Sequence, residues 1–100
     1  MIEEIRERFR QKQYEYSLHA VDQSILRRIS TQEVEQAVQT SELVEEYPSD
    51  KYGPSCLLLG FTENGRPLHI QCTQAIRPIV KIITLYEPEA EKWLEFRKRR

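Results

Sequence analysis

Residues 57–72 read Leu-Leu-Leu-Gly-Phe-Thr-Glu-Asn-Gly-Arg-Pro-Leu-His-Ile-Gln-Cys, and this stretch decides the fold. Two apolar runs flank Asn64-Gly65. Asn-Gly between two such runs is the strongest short-range signal for a β-hairpin, because both central residues of the tight turn need positive φ. The sequence therefore predicts two antiparallel strands, at about 55–63 and 66–74.

A two-residue turn also predicts which side chains share a face of this hairpin. One face is apolar and is predicted to be core, with Leu57, Leu59, Phe61, Leu68, Ile70 and Cys72. The other face carries His69 with Gly60 directly opposite, and a glycine there leaves room above the sheet. Cys56 and Cys72 fall on opposite faces in this register, so we expect no disulfide within the hairpin. A functional site is expected on the face with His69.

Helical spacing of apolar residues predicts three helices before the hairpin. The first covers residues 2–12, the second follows Ser17 with Leu18, Val21, Ile25 and Ile29 on one side, and the third follows Ser30. Ser30 and Glu33 have the spacing of a capping box, in which each side chain bonds the other's backbone N–H.

The rest of the chain predicts two further strands and a final helix. The strands are expected at about 43–47 and 78–86, and Pro88 suits the first turn of a helix that runs to the end. This order of elements indicates an α+β fold. We expect the N-terminal helices to pack on a four-stranded antiparallel sheet, with a C-terminal helix closing the domain.

Composition limits the class of protein. The chain has 100 residues, of which 39% are hydrophobic and 31% charged, with a net charge of −1. These values are typical of one globular domain, residues 1–100. No apolar run approaches the roughly 20 residues of a membrane span, and the N-terminus lacks a signal-peptide core. The expected location is the cytoplasm. The Cys and His residues show no zinc-ligand spacing, so no metal or cofactor is expected.

Four residues are candidates for chemistry, and each has an ordinary structural alternative. His19 begins the second helix and has the type of a general base, but it also suits a hydrogen bond to a loop carbonyl. Arg27, two turns later on the same side, suits a phosphate or a surface carboxylate. His69 suits catalysis or an exposed sheet surface. Tyr86 ends the last strand and suits proton donation or a cover over the core.

The order of several short runs resembles a known family. These runs are His19-Ala20, Arg27-Arg28-Ile29-Ser30, Leu68-His69 and Thr84-Leu85-Tyr86-Glu87-Pro88. Over roughly residues 16–95 the chain resembles a family of small bacterial domains of unknown function. That family is similar to the RelE and MqsR group of toxins, and its members are often encoded beside an antitoxin with a YgiT-type zinc finger.

The resemblance implies a RelE-like toxin of a type II toxin–antitoxin system that cleaves RNA without a metal. In that chemistry the ribose 2′-hydroxyl attacks the adjacent phosphate, which requires a base, a cation and an acid. The implied roles are His19 or His69 as base, Arg27 as phosphate clamp, and His69 or Tyr86 as acid. We also expect substrate contacts from Arg28, Lys81 and Thr84.

The implied partners are RNA and a small antitoxin, with no membrane. The antitoxin is expected to cover His69 or to contact the basic tail Arg97–Arg100. One position departs from the family pattern, because Gln23 stands where relatives usually have an arginine four residues after the first histidine.

Two alternatives remain open. The chain is also compatible with a catalytically inactive RelE-like module that binds a protein or regulates one, and the near-neutral charge favours this alternative. The third hypothesis is an enzyme of another class that acts on a small substrate near His69.

Overall fold

The computed structural model describes all residues, 1–100. Three helices form: α1 Ile2–Arg10, α2 Leu18–Leu26 and α3 Thr31–Gln39. Seven strands form: β1 Tyr14–Tyr16, β2 Glu42–Tyr47, β3 Ser55–Phe61, β4 Pro67–Thr73, β5 Val80–Tyr86, β6 Trp93–Leu94 and β7 Lys98–Arg99.

The main sheet has five strands rather than the four predicted. Its order is β1-β5-β4-β3-β2, and β1 runs parallel to β5 while the other neighbours are antiparallel. The sheet is therefore mixed, and the prediction of a purely antiparallel sheet is wrong. The missing strand, Tyr14–Tyr16, has only three residues, too few to show an alternating pattern.

The N-terminal helices pack on one face of this sheet, as predicted for an α+β fold. We call it the helix face, and its buried core includes Ile5, Phe9, Ala20, Val34, Val38, Leu58, Leu68, Ile70, Ile82 and Leu85. The opposite face, which carries His69, is called the outer face. None of the three helices has the length and apolar character needed to cross a bilayer.

Both predicted helix starts are confirmed. The Ser17 hydroxyl accepts a hydrogen bond from the Ala20 backbone N–H and donates one to the Ile83 carbonyl, at 3.0 and 2.9 Å. Ser17 thus begins α2 and ties it to β5. Ser30 and Glu33 form the predicted capping box at the start of α3.

The register of the central hairpin differs from the prediction by one residue. The Thr62 N–H donates to the Arg66 carbonyl at 3.0 Å, so the loop has three residues and ends at Gly65 with φ of +82°. Phe61 consequently pairs with Pro67 rather than Leu68. The Thr62 hydroxyl, which accepts from the Arg66 N–H, stabilises this longer loop. Three-residue loops with a left-handed final glycine are the next commonest hairpin type.

This slip exchanges the two faces of β3, because side chains alternate along a strand. Leu57, Leu59 and Phe61 move to the outer face, and Gly60 moves to the helix face opposite Leu68. The expectation that Gly60 leaves room beside His69 is therefore wrong. Gly60 instead allows α3 to approach β3 closely, because an added Cβ would lie 1.8 Å from the Ala37 carbonyl oxygen.

The slip also moves Cys56. It pairs directly with Cys72, and both thiols are buried and unbridged. The prediction that the two cysteines lie on opposite faces is therefore wrong.

The C-terminal segment forms a hairpin and not the predicted helix. Strands β6 and β7 pair around a turn in which Glu95 and Phe96 both have positive φ, and we call residues 93–99 the C-terminal hairpin. Trp93 is 4% exposed, while Leu57 and Leu59 on the outer face are also buried. Covering these apolar side chains outweighs the helical tendency of the segment, a tertiary effect that local spacing does not show.

Candidate functional site

His69 and Tyr86 form a hydrogen-bonded pair on the outer face. They are register partners on β4 and β5, and the His69 Nδ1 lies 3.1 Å from the Tyr86 hydroxyl oxygen. On the other edge of the imidazole, Nε2 lies 2.6 Å from the Phe96 carbonyl oxygen. The His69 side chain is 0% exposed. Both ring nitrogens therefore have a partner.

The protonation states of this pair follow from burial and from the partners. Burial lowers the pKa of His69, against the opposing effects of the Phe96 carbonyl and the Glu45 carboxylate. The imidazole is thus neutral at pH 7. Because a carbonyl only accepts, Nε2 carries the proton, and Nδ1 accepts from the Tyr86 hydroxyl. Burial raises the pKa of Tyr86, which keeps the phenol protonated.

The C-terminal hairpin covers the pair. The Trp93 ring meets the imidazole edge-on, with ring centroids 4.5 Å apart and an interplanar angle of 88°. The Arg99 guanidinium lies 4.6 Å from the centroid of the Trp93 ring and binds both Glu45 carboxylate oxygens, at 2.9 and 3.1 Å. Arg97 donates to Glu42 at 2.6 Å. The basic tail is therefore held by carboxylates of β2.

A β-bulge brings two further predicted residues to the outer face. Thr84 pairs with Gln71, but the next pair is Cys72 with Ile82, so Ile83 is an extra residue in β5. Strict alternation along the strand would place Lys81 and Thr84 on opposite faces, but the bulge shifts the alternation by one residue and brings them to the same face. Lys81, Thr84 and Tyr86 all point away from the helices.

The α2 candidates belong to a helix that packs on the opposite face of the sheet from this row. His19 is exposed, and its imidazole has no hydrogen bond to His69 or Tyr86. Helix α2 packs on the helix face through Ala20. Arg27 ends α2, where its Nε donates to the Gln23 amide oxygen at 2.7 Å.

Arg66 connects several elements around the site, and the sequence did not predict this role. Its guanidinium donates to the carbonyl oxygens of Arg27 and Arg28, at 2.9 and 3.0 Å. It also pairs with the carboxylates of Glu33 and Glu87, each at 3.2 Å. One planar fork thereby fixes the α2–α3 turn beside the end of β5. The only sequence signal was an arginine directly after the hairpin turn.

The family model of DUF4258, a domain of unknown function, matches residues 16–87. The chain belongs to the DUF4258 family. The match includes His19, Arg27, His69 and Tyr86 but ends before Pro88, so the C-terminal hairpin lies outside the matched range. This confirms the expected membership of a family of unknown function. No curated protein and no solved structure matches the chain. The side chains form no group of three or more His, Cys, Asp or Glu residues with metal-ligand geometry.

Helix α2 of this DUF4258 domain exposes most of its large apolar side chains. The exposed fraction is 86% for Leu18, 38% for Val21, 71% for Ile25 and 74% for Leu26. The predicted apolar side of the helix is thus mostly in solvent, and only Ile29, which follows the helix, is buried. Exposed apolar side chains grouped on one helix are typical of a protein-interaction surface. We call Leu18, Val21, Ile25 and Leu26 the α2 apolar surface.

Proposed function

We propose that this DUF4258 domain is a RelE-like toxin of a type II toxin–antitoxin system, acting in the cytoplasm as a metal-independent endoribonuclease. The observation that carries the proposal is the His69–Tyr86 hydrogen bond of 3.1 Å on the outer face. A neutral imidazole and a protonated phenol are the forms that a base and an acid need. The bulge at Ile83 places Thr84 and Lys81 in the same row, where they are available to an RNA strand.

The reaction runs through the opposite edges of the imidazole. When Nε2 is released from the Phe96 carbonyl and Nδ1 carries the proton, the Nε2 lone pair takes the proton of the ribose 2′-hydroxyl. The 2′-oxygen bonds to phosphorus, the bond from phosphorus to the 5′-oxygen breaks, and the Tyr86 hydroxyl protonates the leaving oxygen. A proton then passes from Nδ1 to the phenolate. The products are a 2′,3′-cyclic phosphate and a 5′-hydroxyl.

Arg27 supplies the positive charge that this reaction requires. Arg66 binds both the Arg27 carbonyl and Glu87, the residue after Tyr86, so Arg27 stands beside this end of β5. The Arg27 guanidinium has no carboxylate partner, and its Nε donates to the Gln23 amide oxygen. Gln23, the departure from the family pattern, thus orients Arg27. Arg28, which is exposed, provides a second cation for the RNA backbone. By analogy with single oxyanion donors, loss of the Arg27 charge is expected to cost about 10²–10³ in rate.

In this structure the His69–Tyr86 pair is closed to RNA. Nε2 is occupied by Phe96 and Trp93 covers the ring, so RNA reaches His69 only when the C-terminal hairpin moves. The ion pairs Arg97–Glu42 and Arg99–Glu45 are partly exposed, and exposed pairs contribute only about 0.2–1 kcal/mol each. The covering segment also lies outside the range that matches the family.

The test is RNA cleavage by the purified full chain in excess chelator. We expect products that end in a 2′,3′-cyclic phosphate, and no cleavage where the 2′-hydroxyl is replaced by hydrogen. Tyr86→Phe and His69→Ala are expected to abolish the reaction, while His19→Ala, a matched control on α2, is expected to retain it. Expression of the chain alone is expected to arrest growth. Equal cleavage by Tyr86→Phe would contradict the assigned roles.

The α2 apolar surface favours a second candidate function, a module that binds a protein. We propose that its partner is a small antitoxin, of the kind with a YgiT-type zinc finger, that lays an amphipathic acidic segment on α2. Arg27 and Arg28 stand at the end of this surface and have no ion-pair partner, which suits carboxylates on the partner. The tail Arg97–Arg100 suits this contact less well, because its three arginines bond within the chain.

Co-expression with the product of the neighbouring gene tests this candidate. Leu18→Asp with Ile25→Asp is expected to abolish co-purification. The control Ile76→Asp changes a residue that is 69% exposed but lies on the β4–β5 loop, so it is expected to leave the complex intact. Complex formation together with absent RNA cleavage would favour the binding module over the nuclease.

A further inference from the structure

A groove of about 690 Å³ opens at the far end of the outer face from the His69–Tyr86 pair. The loop Lys51–Pro54, the start of β5 and Glu15 of β1 line it. Strand β5 connects the two places, with Lys81 in the groove and Tyr86 in the pair. At about 3.3 Å per residue, Lys81 lies roughly 16 Å from Tyr86 along the strand. The groove and the pair are therefore two ends of one strand-lined surface.

The charge of this groove is opposite to that of the whole chain. Three cations line it, Lys51, Arg77 and Lys81, against the single carboxylate of Glu15. Lys81 Nζ lies 3.6 Å from the Glu15 carboxylate, whereas Lys51 and Arg77 form no ion pair. The net charge of the chain is −1. Two unpaired cations in one groove of such a chain suit an anionic ligand.

An aromatic ring lies beside two of these cations. The Nζ atoms of Lys51 and Lys81 lie 5.3 and 5.4 Å from the centroid of the Tyr52 ring, which is 38% exposed. Ile76 and Ile79 add partly exposed apolar surface to the lining. A cationic groove with an exposed aromatic ring is the combination by which proteins hold single-stranded nucleic acid: cations contact phosphates and the ring stacks on a base.

We propose that this groove binds a single-stranded RNA segment, with phosphates at Lys51 and Arg77 and a base that displaces a lysine ammonium from the face of Tyr52. This inference rests on the proposed function, because the strand continues past Lys81 and Thr84 toward the His69–Tyr86 pair. The groove is the binding end of the substrate path, and it stays open while the C-terminal hairpin covers the other end.

Binding of a short fluorescent RNA with 2′-O-methyl riboses tests the groove separately from cleavage, since this RNA has no free 2′-hydroxyl. Lys51→Ala with Arg77→Ala is expected to weaken binding by about tenfold or more, and to lower the slope of log affinity against log salt by about 1.4, or 0.7 per lost phosphate contact. Lys92→Ala with Lys98→Ala is the matched control, because it removes two exposed cations of the C-terminal segment. This control is expected to bind as wild type.

Variants of Tyr52 test whether the groove prefers RNA to other polyanions. Tyr52→Ala is expected to weaken RNA binding at least fivefold, and Tyr52→Phe to retain it, because stacking needs the ring and not the hydroxyl. Equal binding by the groove and control variants, no binding at low salt, or equal affinity for polyglutamate would each overturn the groove assignment. RNA binding that depends on Lys51 and Arg77, in a chain that cleaves no RNA, would support the groove and reject the nuclease.

Discussion

The His69 Nε2 lies 2.6 Å from the carbonyl oxygen of Phe96, a residue in the turn of the C-terminal hairpin. Phe96 and its neighbour Glu95 have φ of +63° and +52°, a conformation that costs most L-residues about 1 kcal/mol or more. The turn of the C-terminal hairpin thus has an unfavourable backbone conformation. The same turn places the Phe96 carbonyl where it accepts a hydrogen bond from the fully buried imidazole. The buried state of His69 and the position of the hairpin depend on each other.

The first prediction concerns pH. Burial lowers the pKa of His69 from its usual 6.5, so between 6.5 and that lower value the unfolded chain binds more protons than the folded one. The stabilising contribution of neutral His69 is complete above about pH 6.5. It is lost as the pH falls from 6.5 toward the lower pKa of His69 in the folded chain. We expect urea midpoints to fall as the pH drops below about 6.5, beginning above the range where carboxylates titrate. His69→Gln is expected to lack this fall, and an unchanged pH profile in that variant would contradict the assignment.

The second prediction concerns the Arg99–Glu45 ion pair, which keeps the C-terminal hairpin over His69. Arg99→Glu places two carboxylates opposite each other where Arg99 now binds Glu45, and we expect the hairpin to open about threefold to tenfold more often. The measurement is solvent exchange of the His69 Nε2 proton, observed by NMR. Glu45→Arg combined with Arg99→Glu restores opposite charges and is expected to restore slow exchange. Fast exchange in the wild type would show that the hairpin does not protect His69.

The third prediction tests the close approach of α3 to β3. Gly60→Ala places a methyl group 1.8 Å from the Ala37 carbonyl oxygen, so α3 must move, and we expect a loss of more than about 3 kcal/mol. Gly65→Ala is the control, because nothing lies within 4 Å and only its φ of +82° is strained. Its expected cost is about 1–2 kcal/mol. Denaturant unfolding of both variants gives the comparison, and equal costs would contradict the described packing.

The fourth prediction concerns Arg66, whose fork binds two carbonyls and two carboxylates. Arg66→Lys keeps the charge but loses the planar geometry, and we expect a loss of about 2 kcal/mol. The Arg27–Arg28 turn loses its support, so RNA affinity is expected to fall as well. Lys is the informative substitution, since it separates geometry from charge. Wild-type stability of Arg66→Lys would show that charge alone is sufficient.

The sequence predicts the helix starts, the α+β class and the strand positions well, because caps and alternation are local features. Its main errors come from non-local effects. Two hydrogen bonds between Thr62 and Arg66 lengthen the hairpin loop by a residue, and this exchanges the faces of β3. The C-terminal segment has helical spacing, but it forms a hairpin because Trp93 packs on the apolar outer face.

The same limits apply to the candidate site. The pairing of His69 with Tyr86 depends on the β4–β5 register, and the common face of Lys81 and Thr84 depends on the bulge at Ile83. Neither follows from residue spacing. Arg66 acts on carbonyl groups, which the sequence does not distinguish from one position to another. Residue types were therefore predictable at this site, whereas their contacts were not.

The central claim, that the covered His69–Tyr86 pair cleaves RNA, is tested most directly by single-turnover cleavage of a labelled RNA in excess chelator. Three full-length chains are compared: wild type, Arg99→Glu, and Arg99→Glu with His69→Ala. We predict that Arg99→Glu cleaves faster than wild type, with 2′,3′-cyclic phosphate ends, and that the added His69→Ala abolishes cleavage. Absence of cleavage by Arg99→Glu, or undiminished cleavage after His69→Ala, would contradict the claim.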